Sequence, residues 1–261
     1  MSKIALFIPV HNESEKLAET LSLVPKYLNG SKTEIIIVDD CSTDSSLAIA
    51  NRFTSRVISL EKNSGVGVAT RTGLEYITQR GDYSMVIKFD ADGQHDLNFL
   101  PQIEEMLWQN DIVICSRFHP QSDQAYTPTD RILLNMIFVE MLRKITGWKL
   151  TDVRSGFMGF HFEDISAIAS DIIVPRYGIP MELLLRIWNR KPNSKVCEIP
   201  HPAVYGGAIS NRLQEKYSTE QVHDRSDRLR MAYEALLMVV EDLKIPRERI
   251  LEMNGFAMTS A

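Results

Sequence analysis

Short apolar runs alternate with amphipathic segments over residues 1–116. The apolar runs predict strands at residues 4–10, 34–38, 56–60, 85–89 and 111–116. The segments between them predict helices at residues 14–27, 43–52, 66–79 and 97–109. Continuous apolar strands separated by helices are typical of an α/β protein whose mostly parallel sheet is covered by helices on both faces.

The pattern changes after residue 116. Residues 119–129 form a polar, proline-containing loop, which we expect to become ordered as a lid over a bound ligand. Beyond this loop we expect a helix at about residues 130–145, a strand at 155–160, a helix at 181–189, a strand at 196–200, an irregular stretch at 206–222 and a helix at 226–244. Ser226 is the predicted N-cap of the last helix. The main domain is therefore expected to span residues 1–222, with a C-terminal helical extension at residues 223–261.

The segment 130–148 is apolar around more of its circumference than the roughly 100° stripe that one core contact needs. Its polar side chains cover only the remainder: Asn135, Glu140, Arg143 and Lys144. We expect a further surface to bury part of this helix. The options are the C-terminal helix, a second copy of the chain in a homodimer, or a membrane surface with Arg143, Lys144, Trp148 and Lys149 at the level of the headgroups.

Composition narrows the classes of function. The chain has 29 Lys and Arg against 34 Asp and Glu, with a net charge of -5, which argues against a general nucleic-acid binder. The three cysteines are far apart and predict reduced thiols in a cytosolic compartment. We find neither a secretory signal nor an apolar stretch near the roughly 20 residues of a spanning helix. We expect a cytoplasmic location, with peripheral contact at the inner face of the membrane as one option.

Polar residues follow four consecutive predicted strands, at residues 11–13, 39–40, 63–65 and 90–96. Ligands of parallel sheets bind at the carboxyl ends of the strands, so these residues are expected to share one site. The first strand is not followed by G-x-G-x-x-G, which argues against an ordinary dinucleotide-binding dehydrogenase. Asp40 is a candidate acceptor of hydrogen bonds from a base or ribose, while Ser42 or Asp44 is expected to cap the following helix.

The stretch KFDADGQHD, residues 88–96, carries the most specific chemistry. Asp90 and Asp92 lie at i and i+2, so their carboxylates point to the same side of an extended backbone. Mg²⁺ or Mn²⁺ prefers oxygen ligands, and these two carboxylates with the Gln94 side chain would leave room for a diphosphate. A surface turn is the alternative, because D-A-D-G is good turn chemistry. The row of polar strand ends favours the metal site.

The order IPVHNE, VDDCSTD, NSGVG, FDADGQHD and SGF resembles the family-2 inverting glycosyltransferases with the Rossmann-like GT-A fold. Within that family the chain is similar to the dolichyl-phosphate mannose and glucose synthase branch, over roughly residues 3–205. The resemblance implies a nucleoside-diphosphate sugar donor (GDP-mannose or a UDP-sugar) and a Mg²⁺ or Mn²⁺ cofactor. It also implies a polyprenyl-phosphate or other acceptor and inversion at the transferred sugar.

The resemblance also implies roles for individual residues. Donor contacts are expected from Pro9, His11, Asn12, Glu13, Val38, Asp40, Gly67, Asp90, Ala91, Asp92, Arg117 and Arg131. The implied metal ligands are Asp90, Asp92 and Gln94. Arg117 and Arg131 match basic positions that serve phosphate groups, with a solvated surface arginine as the alternative. The expected catalytic residues are Asp92, Arg117 and Glu182.

A hydroxyl acceptor would need a general base, whereas a phosphate acceptor would not. Glu182 is the first candidate base, with an exposed acid at a helix start as its alternative reading, and Asp152 is the second candidate.

The chain departs from the family pattern mainly on the acceptor side. His11 stands where Tyr is usual, Arg154 where Thr is usual, and Met158 where SGFRAF would carry Arg. The later Arg-x-x-Gly-x-Ser-Lys signature is reduced to residues 205–211. Two other classes of function stay open. One is a transferase-like protein that binds a nucleotide sugar without catalysis. The other is a haloacid dehalogenase-type phosphatase, whose nucleophile loop FDADG resembles.

Overall fold

Seven strands form one sheet in the order β3-β2-β1-β4-β6-β5-β7. The computed structural model describes residues 3–27, 33–123, 127–203, 220–246 and 248–249. Within these ranges the strands are β1 (Lys3–Val10), β2 (Thr33–Asp39), β3 (Val57–Ser59), β4 (Tyr83–Lys88), β5 (Ile112–Ser116), β6 (Met158–His161) and β7 (Val196–Pro200). Every strand predicted from the apolar runs is confirmed, with ends that shift by a few residues.

Parallel pairing dominates the sheet, which confirms the predicted fold class. β1 lies between β2 and β4 and is parallel to both, and β5 is parallel to β7. β6 is the exception, because it runs antiparallel between β4 and β5. The carboxyl ends of β1, β2 and β4 therefore meet at one edge, where the sequence places its polar residues.

The helices are α1 (Leu17–Tyr27), α2 (Ser46–Phe53), α3 (Val66–Arg80), α4 (Leu100–Leu107), α5 (Thr129–Thr146), α6 (Phe162–Ser166), α7 (Ile179–Arg190) and α8 (Glu220–Asp242). The single helix predicted at 97–109 is divided. A 3₁₀ turn at Leu97–Phe99 is capped by the Asp96 carboxylate, and α4 follows with Pro101 in its first turn. Proline lacks an N–H and is tolerated only at a helix start, so α4 begins late. The short α6 was not predicted, because five residues show no helical period.

The C-terminal helix begins earlier than predicted. Ser226 lies inside α8 and is not its N-cap, since the helix already begins at Glu220. Glu220 and Gln221 lie before Ser226 and are good helix formers, so the helix extends back past the predicted cap. Of the predicted irregular stretch 206–222, residues 206–219 lie outside the described residues and residues 220–222 belong to α8. The proposed boundary at residue 222 falls within α8.

Two hydrophobic clusters form the core. The first packs buried residues of α3, α5, α7 and α8 together, including Phe138, Leu184 and Leu236. The second lies among α1, α4 and the strands, and includes Leu21 and Phe89. Because α8 contributes to the first cluster, the C-terminal helix is part of the same core as α7.

Helix α5 is buried on one side only. Phe138 and Leu142 are buried, whereas Leu133, Met136 and Ile137 are 55%, 62% and 53% exposed. Within the described residues, neither α8 nor another element covers these three side chains. No helix in the described part of the chain combines the length and apolar character needed to cross a bilayer.

Candidate active site

One cleft of about 620 Å³ opens at the carboxyl ends of β1, β2 and β4. The structure brings most of the predicted site residues to its walls: Pro9, His11, Glu13, Asp40, Asp90, Ala91, Asp92, Gln94, Arg117 and Arg131. The predicted residues Asn12, Val38, Gly67 and Glu182 are not part of its lining. The ligand-binding roles of the lining residues stay predictions, while their convergence is a property of the fold.

Asp90 is held by three neighbours. Its Oδ1 atom accepts a hydrogen bond from Lys88 Nζ at 2.7 Å, and its backbone N–H donates to His95 Nδ1 at 3.0 Å. A Cβ atom on Gly156 would overlap its Oδ2 atom, so the glycine of SGF leaves the space that this carboxylate occupies. Burial alone would raise the pKa of Asp90, but the charges of Lys88, His95 and Arg117 and the hydrogen bond from Lys88 together outweigh burial and lower the pKa to about 2.

Asp92 differs from Asp90, because the pKa of its carboxyl is raised and not lowered. Burial and then the neighbouring charge of Asp90 raise the pKa of its carboxyl above the ordinary value. A cation between the two carboxylates would relieve this repulsion. Asp92 Oδ1 also accepts the backbone N–H of Gln94 at 3.0 Å, which fixes the turn that places the Gln94 side chain at the cleft.

The donor set fits a weakly enclosed Mg²⁺ or Mn²⁺ ion. Among the described residues no cluster of three or more His, Cys, Asp and Glu side chains is suited to holding a metal ion. The protein therefore offers Asp90, Asp92 and the neutral amide oxygen of Gln94. Mg²⁺ usually keeps several waters and takes further oxygens from substrate phosphates, so this incomplete set agrees with its preference.

The ends of β1 and β2 are joined by a hydrogen-bond network around Asp40. Its two carboxylate oxygens accept the backbone N–H groups of Ser64 and Gly65, each at 2.7 Å. His11 lies 2.8 Å from Asp40 O through Nδ1 and 2.8 Å from Asn63 Nδ2 through Nε2. The carbonyl requires a donor, so the proton is assigned to Nδ1 and Nε2 accepts from Asn63. This network fixes the residue 63–65 turn at the end of the cleft formed by β1 and β2.

Asn12 ties two loops together. Its backbone N–H donates to Ser42 Oγ at 3.0 Å, and its Oδ1 accepts from the Thr43 N–H at 2.8 Å. Asp44 accepts the N–H of Ser46 at the start of α2, so Asp44 is the member of the predicted pair that satisfies this helix end. These contacts give Asn12 a loop-anchoring position behind the cleft wall.

Val38 and Gly67 do not line the cleft, and both have packing positions in the fold. Val38 is completely buried in the core of the sheet. The Gly67 N–H donates to Pro175 O at 2.9 Å, and a Cβ atom on Gly67 would overlap Val174 O. The glycine of NSGVG therefore permits close packing of α3 against residues 174–175.

That packing carries residues 176–181 to the cleft, including Arg176 and Tyr177, which the sequence did not identify as site residues. They follow no predicted strand, so their position depends on a contact between distant segments. The nearest sequence signal was the pair of glycines in NSGVG, which marks a close backbone approach without naming its partner.

Basic residues form another part of the cleft wall. Arg117, Arg131, Arg154 and Arg176 all line the cleft. Asp152 is completely buried and binds Arg117 through Nε at 2.8 Å and Nη2 at 3.1 Å. Asp152 is thus the counter-ion that orients Arg117. Its predicted alternative role as a general base is wrong for this geometry, because both oxygens face the guanidinium.

A small cavity of about 30 Å³ lies at the same wall. Arg117, Arg131 and Arg154 line both this cavity and the main cleft, and Phe118 and Asn135 line the cavity as well. The Asn135 side chain donates from Nδ2 to Thr151 O at 2.6 Å, while its buried Oδ1 atom has no hydrogen-bond partner among the described residues. A cavity with three guanidinium groups is suited to a small anion.

Glu182 is the clearest correction to the predicted site. It is completely buried outside the cleft, where Oε1 accepts from Ile173 N at 2.9 Å and Arg186 Nε at 2.8 Å, and Oε2 accepts from Val174 N at 3.0 Å. Arg186 also binds Asp242 of α8 at 2.9 Å. Both carboxylate oxygens are occupied, so Glu182 has a structural position and cannot reach an acceptor. The spacing of Glu182 and Arg186 at i and i+4 was a readable signal for this ion pair.

The sequence did not identify Lys88 and His95 as site residues. Both flank the Asp90–Asp92 turn, but Lys88 lies within a predicted strand and His95 within a polar loop. His95 is stacked on Phe157 at 5.2 Å, and His201 lies edge-on to both rings. Burial lowers the pKa of His95 to about 3 and that of His201 to about 4, so both imidazoles are neutral supports beneath the turn.

The chain is similar to proteins of known activity. The sequence profile named glycosyl transferase family 2 matches residues 5–168. An undecaprenyl-phosphate mannosyltransferase of Micrococcus luteus is 26% identical over 204 residues, which are 76% of this chain and 82% of that protein. A dolichol-phosphate mannosyltransferase of Pyrococcus furiosus is 28% identical over 205 residues, covering 76% of this chain and 55% of that protein.

The fold also has solved counterparts. Glucosyl-3-phosphoglycerate synthase from Mycobacterium tuberculosis superposes with a TM-score of 0.68 at 18% identity, over 94% of this chain and 82% of that one. The same enzyme in complex with Mn²⁺, uridine diphosphate and glucosyl-3-phosphoglycerate gives a TM-score of 0.64 at 15% identity, over 94% and 81% of the two chains. These structures confirm the GT-A type of α/β fold. With the profile match covering more than half of the sequence, the chain belongs to glycosyl transferase family 2 and is a glycosyltransferase.

Proposed function

We propose that this glycosyltransferase moves a sugar from a nucleoside-diphosphate sugar to a phosphate-bearing, lipid-linked acceptor, with inversion and with Mg²⁺ or Mn²⁺ as cofactor. One observation carries the proposal: a carboxylate pair and four arginines line the same cleft. A metal-bound diphosphate suits the carboxylates, and a second anion suits the arginines.

The donor would lie along the ends of β1, β2 and β4. Its nucleoside would contact Pro9, His11 and the Asp40 network, and its diphosphate would lie near Asp90 and Gln94. A divalent cation held by Asp90, Asp92 and Gln94 would neutralise charge on the leaving diphosphate. The Asp40 carboxylate, already fixed by two backbone N–H groups, keeps lone pairs for a base or ribose.

The acceptor would place its phosphate against Arg117, Arg131 and Arg154. A phosphate oxygen is already anionic, so it can attack the anomeric carbon without a general base. This agrees with the geometry, because both carboxylates predicted as bases, Glu182 and Asp152, are occupied by arginines. Attack from the side opposite the diphosphate inverts the configuration of the sugar.

Helix α5 supports a lipid-linked acceptor. Arg131 lines the cleft near its N-terminus, and Leu133, Met136 and Ile137 are exposed on the next turns. An acceptor with an anionic head and an apolar tail would match this arrangement, as would peripheral contact between α5 and a membrane surface. The relatives named above act on undecaprenyl and dolichol phosphates by their names, and we extend that acceptor class to this chain. A homodimer through the same face is the alternative.

The two other classes of function are less well supported. The phosphatase reading of FDADG is wrong, because the chain belongs to a glycosyltransferase family. The non-catalytic reading depended on Met158 and residues 205–211. Met158 is buried in β6, while Arg154 supplies a guanidinium at the cleft. Residues 205–211 lie outside the described part of the chain.

A transfer assay tests the proposal. The purified protein is incubated with Mn²⁺ and radiolabelled UDP-, GDP-, CDP- or dTDP-sugars, together with undecaprenyl phosphate, dolichyl phosphate or the free alcohols. We expect label in the organic phase with one donor and only with a phosphorylated lipid. Arg154→Ala should reduce this transfer while leaving donor-induced thermal stabilisation unchanged. Transfer to the free alcohol at an equal rate would overturn the phosphate acceptor. Lack of stabilisation by any donor would overturn the donor class.

A further inference from the structure

Lys88 is a buried cation inside the proposed metal and diphosphate site. It is the last residue of β4, is 3% exposed, and lines the cleft. Its Nζ atom lies 2.7 Å from Asp90 Oδ1 and 3.5 Å from Gly156 O. Lysine is almost never fully buried unless it is paired, so the contact with Asp90 is what makes this position tolerable.

The ion pair changes what Asp90 can offer a metal. The Oδ1 atom accepts a hydrogen bond from the ammonium group, which makes it the weaker metal ligand of the two carboxylate oxygens. The fixed charges beside the cation site are then two carboxylates, from Asp90 and Asp92, against the Lys88 ammonium and the Arg117 guanidinium, which acts on both carboxylates and is itself paired with Asp152. The protein therefore cannot neutralise a divalent cation by itself, and the diphosphate must supply the missing negative charge.

We propose that Lys88 couples metal binding to nucleotide binding. Its charge keeps the affinity of the free protein for the metal low, and it also holds Asp90 in place before the metal arrives. The cation binds well only together with the diphosphate, whose oxygens complete the coordination and outweigh the repulsion from the ammonium. Lys88 is thus a positioning residue that acts through Asp90. This role rests on the proposed function of the same cleft.

Metal titration tests this coupling directly. The affinity for Mn²⁺ is measured by electron paramagnetic resonance of the free ion, with and without UDP, GDP, CDP or dTDP. We expect the wild-type protein to bind Mn²⁺ at least about tenfold more tightly with the preferred nucleotide than alone, a coupling of typical size. Lys88→Met should bind Mn²⁺ alone more tightly than wild type and should lose most of this coupling. Lys88→Arg keeps the charge and should retain it. Lys149→Met, at an exposed lysine outside the cleft, is the matched control.

A melting experiment separates this role from simple packing. In EDTA, Lys88→Met leaves Asp90 and Asp92 without the Lys88 ammonium, so its melting temperature should fall below that of wild type. Mn²⁺ alone should then raise the melting temperature of the variant by more than it raises that of wild type. A purely structural lysine predicts the fall without the larger Mn²⁺ response. Lys88→Gln, which keeps a hydrogen bond to Asp90 without the charge, gives the same test if Lys88→Met does not fold.

The outcomes distinguish the two proposals. If nucleotide binds with Mn²⁺ but Lys88→Met and Lys88→Gln keep the wild-type coupling, the role of Lys88 is overturned and the proposed function stands. The same holds if either variant binds Mn²⁺ alone more weakly than wild type. If the wild-type protein binds none of the four nucleotides in the presence of Mn²⁺, the proposed function fails and the coupling role fails with it.

Discussion

The Oδ2 atom of Asp90 occupies the space that a side chain on Gly156 would need. Two motifs far apart in the sequence, FDADGQHD and SGF, are therefore parts of one structure. The antiparallel strand β6, which follows Gly156, lies beside β4 and brings the glycine against the acidic turn. The oxygen nearest Gly156 is also the better metal ligand of the two, because Lys88 donates its hydrogen bond to the other.

Gly156→Ala should therefore displace the Asp90 carboxylate. We expect transfer activity to fall by roughly 100-fold, the cost of a misplacement of about 1 Å in a reacting site. Mn²⁺-dependent stabilisation by nucleotide should fall with it, and circular dichroism should show an intact fold. Unchanged Mn²⁺-dependent stabilisation in this variant would contradict the assignment of Asp90 as a metal ligand.

Asp92→Asn should separate metal binding from stability. The raised pKa of Asp92 shows that its charged form is held against burial and against Asp90, so removing the charge relieves repulsion. We expect the melting temperature in EDTA to be equal to that of wild type or higher. The additional stabilisation by Mn²⁺ and donor should be largely lost. Wild-type shifts with Mn²⁺ and donor would show that the metal assignment is wrong.

Glu182→Gln distinguishes a structural acid from a catalytic base. Removing one partner of a buried ion pair costs about 3–5 kcal/mol. Arg186 would lose its buried partner and keep only the half-exposed Asp242 of α8 as a counter-ion. We expect a large loss in the free energy of unfolding, measured by urea denaturation. The activity of the remaining folded protein at low temperature should stay close to wild type. A stable variant with strongly reduced turnover would restore Glu182 as a base.

Stability should fall as the pH falls below about 6.5 because of His95 and His201. Burial lowers both folded-state pKa values, to about 3 and about 4, from the ordinary value of 6.5. Between those values the unfolded state binds protons that the folded state does not. Each histidine then removes about 1.4 kcal/mol of stability per pH unit of acidification, and this loss is absent above the unfolded pKa.

Urea denaturation at about pH 7 and about pH 5 checks this slope. The groups that act on the two imidazoles include Asp90, Asp96, Asp152, Lys88 and Arg117. The carboxyl of Asp90, with its pKa near 2, titrates below this window. His201→Asn should therefore reduce the pH dependence relative to wild type. An identical slope in the variant would show that His201 does not carry it.

Much of the site was predictable, because parallel strands end at one edge and their polar ends must meet there. That argument placed His11, Asp40 and Asp90 together without a structure. It did not place Arg176, which reaches the cleft only because α3 packs closely on residues 174–175. The antiparallel direction of β6 could not be predicted either, because the sequence of a four-residue apolar strand does not indicate its direction in the sheet.

Glu182 is the converse case, because the sequence predicted it in the site and the structure places it outside. An acid in the apolar segment YGIPMELLLR invites a catalytic reading. Its backbone donors at residues 173–174, and the contact of Arg186 with Asp242, become visible only when the chain is folded. A buried charge with an i+4 partner is more often satisfied than reactive. Asp152 is likewise a satisfied charge, because its carboxylate forms an ion pair with Arg117.

The exposed face of α5 provides the last prediction, because its side chains can be changed without disturbing the core. Phe138 is buried at 1% exposure, so a charge there would break the fold and would test nothing else. Met136 and Ile137 are more than half exposed and are the appropriate positions. If α5 contacts a membrane, Met136→Asp and Ile137→Asp should abolish flotation with anionic liposomes while the melting temperature stays near that of wild type.

Trp108→Asp is the matched control, because Trp108 is 68% exposed but lies directly after α4, away from α5. This variant should still float with the liposomes. Removing a few exposed apolar side chains weakens interfacial binding in proportion to the apolar area lost, so the two α5 variants should also bind less tightly in a sedimentation assay. Light scattering tests the alternative, in which α5 forms a dimer interface. If the wild-type protein stays in solution as a dimer that Ile137→Asp dissociates, then α5 is a subunit interface, and a lipid tail does not lie along it.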